Sequence, residues 1–391
     1  MMAVTCMSEL MIIAAPPSPL GGFGAAGSAS AAVRLRRGRL RLLSHVDETG
    51  SGEAPARLRF AKGEWLPLQA GPLVESTHLV RFHYDLNRPR PACGRSPPDA
   101  TRYVGCLLPD TVVPVELIPP GSRLLVIAAH PDDETIGAGG LMCALQLRRD
   151  TTVAIAHLTN GAPLNLHDAA AAGFGDRDAY ARARRGELNA ALEHLPYGTP
   201  DLYALGFDDQ QAAHTLLDTV AAVHGVIDTF TPTLVITHPY EGGHPDHDAA
   251  AFAAYAALRG PAAPSPAPRL LEMTSYHWTG EALRSGEFLP SAEPETELHL
   301  SGTVLATKQR MLRCFTSQRR VIDALHLPAV ERFRPAPQYE FRRPPAAAGC
   351  VYYERFDWRL DTARWCEYAE EALRALHIAP VAISRTAQPW L

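Results

Sequence analysis

The sequence predicts an α/β protein: a mostly parallel sheet with helices on both faces, preceded by a small strand-rich N-terminal unit. Two observations carry this. From about Gly121 onward, short apolar runs of strand length alternate with segments of helical length. That rhythm is the mark of βαβ units, and so of a parallel sheet buried on both sides. Before Gly121, β-favouring runs recur at short spacing between Gly and Pro residues, as expected of a small strand-rich unit.

Taken in order, residues 1–32 read as a flexible lead-in, because positions 16–32 are rich in Pro, Gly, Ala and Ser and offer little to bury. A β-rich unit of unassigned role, with a connector, is expected over 33–119. Its strand-like runs are 33–36, 40–43, 58–60 and 78–84. The Pro- and Arg-rich stretch 87–98 reads as the connector, and 112–119 (VVPVELIP) as a last strand before the next domain. The α/β domain is expected over 120–391. Apolar runs place strands at 124–129, 152–158, 201–205, 233–237 and 270–276. Helices are expected at 135–149, 182–194, 211–229, 246–258, 304–317 and 361–377.

Composition narrows the function. Of 391 residues, 46% are hydrophobic and 20% charged, the balance of a globular chain, not of a disordered one. Lys and Arg number 37 against 42 Asp and Glu, a net charge of −5, so no electrostatic footprint for nucleic acid or an anionic membrane stands out. The cysteines (Cys6, Cys93, Cys106, Cys143, Cys314, Cys350, Cys366) are scattered, without a C-x-x-C pair. They read as reduced thiols in a cytoplasmic protein. The apolar run 10–15 has no basic residues before it and ends in Pro16-Pro17, which is too short for an export signal or a membrane span. A transmembrane segment is not expected anywhere. The expected partner is a small molecule or glycoconjugate, and the oligomeric state stays open.

The first chemistry-bearing motif is His130-Pro131-Asp132-Asp133-Glu134. It falls where the first strand of the α/β domain gives way to a helix, and ligands of open α/β sheets bind outside the carboxyl ends of strands. A tight turn with Pro131 fixing one φ brings positions i and i+3 to one side. His130 and Asp133 can then offer an imidazole nitrogen and a carboxylate oxygen to one metal, and Asp132 can face a water on it. Asp133 and Glu134 can alternatively act as ordinary helix caps.

The second motif is His238-Pro239-Tyr240-Glu241-Gly242-Gly243-His244-Pro245-Asp246-His247-Asp248. It occupies the same topological place, after the strand at 233–237. Three of the chain's 16 histidines fall within the ten positions 238–247, beside carboxylates and a Gly-Gly pair. Such sets suit zinc or another borderline divalent metal. One ligand from this motif would complete a facial set with His130 and Asp133. By spacing alone, His244 and His247 can also both bind metal.

Together the two motifs resemble the signature of the PIG-L/LmbE-like zinc-dependent de-N-acetylases. The likeness is strong to about Leu258, extends weakly over Lys308 to Gln318 and Phe333 to Phe341, and leaves the N-terminal third unexplained. The resemblance implies a Rossmann-like fold and a zinc ion held by His130, Asp133 and His247, with ferrous iron also tolerated by that ligand set. It implies that Asp132 is the general base, that His244 acts as acid or oxyanion stabiliser, and that Asp246 orients His244. The implied reaction is hydrolytic removal of an acetyl group from an N-acetylated amino sugar or its conjugate. Zinc chemistry agrees, since bound water falls to a pKa of about 7 and an adjacent carboxylate can take its proton.

Other residues are weaker candidates. Arg184, in an Arg-x-x-Glu pattern with Glu187, can reach a sugar hydroxyl or phosphate, or lie on a solvated salt-bridged face. Asp208 and Asp209 follow a strand and can meet a polyol or cap the next helix, and Asp208 is the expected substrate contact. Thr159-Asn160-Gly161 resembles a family turn near the metal, although Ala162 replaces the acidic residue often found next. His157 reads as a core histidine, and His277 as a possible pocket wall. Tyr352, Tyr353, Trp358 and Trp365 can stack on a sugar or pack the core.

Two alternatives remain: an amidase for a larger acyl or thiol conjugate, and a non-catalytic protein whose metal organises a carbohydrate pocket. A dinucleotide-binding dehydrogenase is excluded, because its glycine fingerprint should follow the first strand, where His130-Pro131-Asp132 stands, and Gly137-Ala138-Gly139-Gly140 lies too far into the helix.

Overall fold

A computed structural model describes residues 111–325 and 327–379, together with five short strands between positions 32 and 81. Most of the expected lead-in and the whole connector at 87–98 lie outside the described residues. Strands β1 (Ala32–Leu35), β2 (Gly38–Arg41), β3 (Arg57–Arg59) and β4 (Trp65–Pro67) form an antiparallel sheet in that order, within a compact unit of their own.

The larger unit is built on a second sheet. In chain order its elements begin with β5 (Val80–Arg81), β6 (Arg123–Ala128), α1 (Asp133–Arg148), β7 (Thr152–Pro163), α2 (His167–Ala171) and α3 (Arg177–Leu192). There follow β8 (Asp201–Asp209), α4 (Leu216–Phe230), β9 (Leu234–Thr237), α5 (Pro245–Ala257) and β10 (Arg269–Met273). The remainder comprises β11 (Tyr276–Trp278), β12 (Leu283–Ser285), β13 (Thr296–His299), α6 (Gly302–Arg313), α7 (Arg319–Ala324), β14 (Val330–Pro335) and α8 (Thr362–Ala375). The strand order is β13-β14-β10-β9-β6-β7-β8-β5. The pairings β10–β9, β9–β6, β6–β7 and β7–β8 are parallel, and the strands at each edge pair antiparallel. This is the mostly parallel, helix-covered α/β sheet expected from the sequence.

Strand periodicity divides the core into two layers. Leu125 and Ile127 of β6 pack with Val235, α4, α5 and α8 on one face of the sheet. Leu124 and Val126 pack with Ile155, Ile236, α1, α3 and α6 on the other. Successive side chains of a strand point to opposite faces, so an unbroken apolar run fills both layers. Each fully buried aliphatic side chain contributes about 1.5–3 kcal/mol.

Several expected elements differ. Residues 112–119 are not a strand: the amides of Leu117 and Ile118 both donate to the Pro114 carbonyl, closing a turn. The prolines at 114 and 119 remove ladder donors, while Leu117 and Ile118 are buried in the core of the larger unit. The helix expected at 211–229 begins at Leu216, preceded by a 3-10 turn over Ala212–Thr215. The helix expected at 304–317 stops at Arg313. The strand expected at 270–276 ends at Met273, and Tyr276 starts a separate two-stranded hairpin, β11–β12. No described helix is long and apolar enough to cross a membrane.

Candidate metal centre

The chain runs from β6 through β7 to β8 on one side of the sheet, then returns so that β9 lies on the other side of β6. A crevice opens at the carboxyl ends of strands where the order reverses in this way. The first motif leaves β6 there and the second leaves β9. The two ends are tied directly, since the Ala129 amide donates to His238 Nε2 at 3.0 Å.

The imidazoles expected to meet do so. The ring centroid of His130 lies 4.5 Å from that of His244 and 5.4 Å from that of His247. Asp133 Oδ2 accepts the His130 amide (2.8 Å) and sits 3.1 Å from His130 Nδ1 and 3.3 Å from His247 Nε2. His247 Nδ1 is 3.1 Å from Ser275 Oγ. Its buried Nε2 has no hydrogen-bond partner, although the Asp133 oxygen is so close. A buried nitrogen facing a carboxylate oxygen without hydrogen-bond geometry is the arrangement a divalent cation satisfies.

Charge supports the same reading. Asp132, Asp133, Asp209 and Asp246 are all buried here, against one buried guanidinium, Arg184. Burial lowers His130, but the charge of Asp209 and hydrogen bonds to Asp133, Asp209 and Asp246 carry it well above the usual histidine value. Burial and the neighbouring His247 bring His238 down to about 4. Donor atoms mutually within 4.8 Å form three overlapping groups among the described residues: His130, His244 and His247; His130, Asp209, His244 and Asp246; and Asp133, His238 and His247. The expected triad of His130, Asp133 and His247 is not itself one of these groups. Asp133 joins its two histidines pairwise.

Asp132 has φ 144° and ψ −29°, a backbone conformation unusual for a residue with a side chain. Its Oδ2 accepts from Arg184 Nη2 at 3.1 Å. Burial pushes this carboxyl up to about 8 against the pull of the guanidinium. Arg184 also donates to the carbonyls of Gly161 (2.5 Å) and Pro131 (3.1 Å). Gly161 has φ +68°, and a Cβ there would lie 2.3 Å from Arg184 Nη1, so only glycine admits this approach. The expectation that Arg184 reaches substrate is therefore revised: most of its hydrogen bonding is spent on the protein, and it braces Asp132.

His244 is the N-cap of α5, and its Nδ1 accepts the Asp246 amide at 3.1 Å. The ring proton of neutral His244 is thereby placed on Nε2, which lies 3.7 Å from Asp209 Oδ1. The Asp246 carboxylate is 4.0 Å from His244 Nδ1 and makes its short contacts elsewhere: it accepts from the amides of Gln210 (2.6 Å) and Ala212 (3.1 Å) and lies 3.3 Å from His130 Nε2. The His244 loop is pressed against β11. A Cβ on Gly243 would lie 2.1 Å from the Tyr276 carbonyl oxygen.

Asp208 does not enter the cluster. It pairs with Arg177 Nη1 at 2.7 Å and accepts from Asn160 at 3.1 Å, with its side chain 30% exposed. Asp209 enters instead, 3.1 Å from His130 Nε2. Adjacent residues at the end of β8 face opposite ways, and that register was the available signal. His238, the first residue after β9, stacks on His247 with centroids 4.0 Å apart. Its place at a strand end was a signal for it, whereas nothing in the sequence marked Ser275. His157 is a core residue 2.9 Å from Glu134 Oε2, and His277 is buried 3.6 Å from Glu241 Oε2.

The fold and site define an α/β protein with a buried histidine–carboxylate centre at the switch point of its sheet. Residues 125–258 match the PIG-L family model, described as GlcNAc-PI de-N-acetylase, and every residue of the cluster except Ser275 lies in that span. Over 139 residues the chain is 35% identical to the probable N-acetyl-alpha-D-glucosaminyl L-malate deacetylase 2 of Bacillus subtilis (strain 168), covering 35% of this chain and 60% of that protein. Over 166 residues it is 31% identical to the 1D-myo-inositol 2-acetamido-2-deoxy-alpha-D-glucopyranoside deacetylase of Mycobacterium sp. (strain KMS), covering 38% of this chain and 52% of that protein. The chain thus spans between half and three fifths of the length of these curated relatives. Among solved structures, a deacetylase of the teicoplanin biosynthesis pathway is similar at 19% identity and a TM-score of 0.44, covering 55% of this chain and 97% of that one.

Proposed function

We propose that this chain is a metal-dependent hydrolase that removes the acetyl group from an N-acetylated amino sugar or its conjugate. The observation that carries the reading is Asp133 Oδ2 set between His130 Nδ1 and the unpartnered His247 Nε2, directly beside Asp132. His130, Asp133 and His247 would hold the cation, zinc or ferrous iron, with Ser275 orienting His247. When bound, such a cation polarises a carbonyl oxygen and makes water a nucleophile near neutral pH.

The chain's own residues supply the rest. Asp132 takes the proton of the attacking water, held in place by Arg184. His244 donates a hydrogen bond from Nε2 to the amide oxygen as charge develops there, keeping its proton, and the proton that Asp132 has taken passes to the departing nitrogen. Asp246 fixes His244 through its backbone amide and anchors the β8 end through Gln210 and Ala212. The relatives act, by their names, on N-acetylglucosaminyl malate and an inositol glycoside, so an acetamido sugar is the substrate class proposed here. The described cysteines are free thiols, which supports a cytoplasmic setting.

The test measures metal content and acetate release together, across a panel of N-acetylglucosamine conjugates. Asp133→Asn is expected to lose metal, and Asp132→Asn to keep metal while losing turnover at least 100-fold. A wild-type protein that carries its metal yet releases no acetate from any conjugate overturns the proposal.

A further inference from the structure

Glu134, the last residue of the first motif, has no part in the proposed chemistry, yet it is wholly buried and three donors converge on it. Its Oε2 accepts the Asp132 amide at 3.0 Å and lies 2.9 Å from His157 Nε2, and its Oε1 accepts the Thr135 hydroxyl at 2.5 Å. His157 is buried on β7, paired across from Ala128 at the end of β6. A carboxylate only accepts, so His157 donates from Nε2. Its buried Nδ1 has no partner, and a ring carrying its one proton on Nε2 strands no donor there.

The start of α1 departs from an ordinary cap in a way that uses this contact. An aspartate at the N-cap usually turns its carboxylate onto amides of the first turn. Asp132 makes no such bond. Its backbone carbonyl takes the Thr135 and Ile136 amides, both at 2.9 Å, and its carboxylate is turned to Arg184. In a capping box the third helical residue reaches back to the N-cap amide; here Glu134, the second, does so. The Asp132 backbone is therefore gripped at φ 144°, a conformation that persists only where neighbours hold it, while its side chain stays free for the centre.

We propose that Glu134 and His157 are positioning residues for the base. His157 fixes the Glu134 carboxylate, and Glu134 fixes the Asp132 peptide so that the Asp132 carboxylate faces Arg184 and the centre. The inference rests on the proposed function for the role of Asp132. Among the described residues, neither makes a hydrogen bond to His130, Asp133 or His247, so losing either should spare the metal.

Metal content, acetate release from an N-acetylglucosamine conjugate and crystal structures are to be compared for paired variants. His157→Leu removes the donor without touching the motif, and His157→Gln returns an N–H near the place of Nε2. Glu134→Ala removes the acceptor, and Glu134→Gln keeps an oxygen for the Asp132 amide. His157→Leu and Glu134→Ala are each expected to keep metal and to lower kcat about 10–100-fold, with KM changed less than about threefold. Their structures should show the Asp132 carboxylate displaced from Arg184, and the two glutamine variants should recover most of kcat. Added to Asp132→Asn, His157→Leu should cost nothing further, because it acts through a carboxylate already gone. Loss of metal in His157→Leu, a wild-type kcat in it, or an undisturbed Asp132–Arg184 contact in both disrupted variants overturns the assignment. If the Asp132 carboxylate swings away in His157→Leu but the metal-loaded wild type releases no acetate, the hold on Asp132 stands and the proposed function falls.

Discussion

Lys308 Nζ and Glu331 Oε1 lie 2.7 Å apart inside the protein and together take over backbone groups in the middle of α1. Lys308 donates to the Ile136 carbonyl at 2.7 Å, and the two Glu331 oxygens accept the amides of Gly140 (2.7 Å) and Leu141 (2.8 Å). An ion pair from α6 and β14 therefore grips the helix whose first turn carries Asp133. Removing one partner of a buried pair leaves an uncompensated charge and costs about 3–5 kcal/mol. Lys308→Met is expected to lose that much in urea denaturation, and Glu331→Ala at least as much, because it also strands two amides. A loss below about 1 kcal/mol in both variants would show that the pair is dispensable.

The backbone of Asp132 stores strain where the proposed base sits. Positive φ at a residue with a Cβ costs about 1–3 kcal/mol, and Asp132 is held at 144°. Asp132→Gly and Asp132→Ala both delete the carboxylate and its bond to Arg184, so they differ chiefly in backbone freedom. The glycine variant is expected to be more stable by about 1 kcal/mol, after allowance for the extra entropy of its unfolded chain. Thermal melts of the two variants decide it, and equal stability would mean the conformation is unstrained.

The sheet and the meeting of the two motifs were legible because both signals are local. Unbroken apolar runs at 124–129 and 233–237 mark buried parallel strands, and the histidines follow directly on their ends. What was not legible depends on side-chain direction. Asp208 and Asp209 are equivalent as sequence, and only the register of β8 turns Asp209 toward His130 and Asp208 toward Arg177. Arg184 carried a plausible substrate role until its guanidinium was seen on Gly161, Pro131 and Asp132. The edge strand β13 pairs antiparallel with β14 across more than thirty positions, a long-range pairing with no local mark. The run at 112–119 misled because Val113, Leu117 and Ile118 face the core from a proline-bounded turn while Val112 and Val115 point to solvent.

Ser275 tests how far the centre depends on residues that touch no cation. Its Oγ, 3.1 Å from His247 Nδ1, fixes the ring so that Nε2 faces Asp133. Loss of such a partner typically weakens metal binding about 10–100-fold. Ser275→Ala is expected to show that loss in competition with a chelator while its melting temperature changes little, and Ser275→Thr to recover most of it. Unchanged metal affinity in Ser275→Ala would remove His247 Nε2 from the ligand set or Ser275 from its support.

A separate buried network on β10 and β14 predicts how stability responds to pH. Glu272 is held by Arg334 (2.9 Å) and by the Tyr339 hydroxyl (3.0 Å), with Glu241 beside it on the same guanidinium. Burial, reinforced by the charge of Glu241 and opposed by Arg334, raises its carboxyl from 4.5 to about 8. The folded state thus binds a proton that the unfolded chain has already released between those values, so this contribution is intact below about 4.5 and is lost as pH rises through about 8. Glu272→Gln keeps an acceptor for Arg334 and cannot ionise. Its stability relative to the wild type should therefore rise steadily between about pH 5 and 8, read by urea denaturation at each pH. Parallel curves for the two proteins across that interval would show that Glu272 is ionised throughout, with Arg334 holding its charge inside the fold.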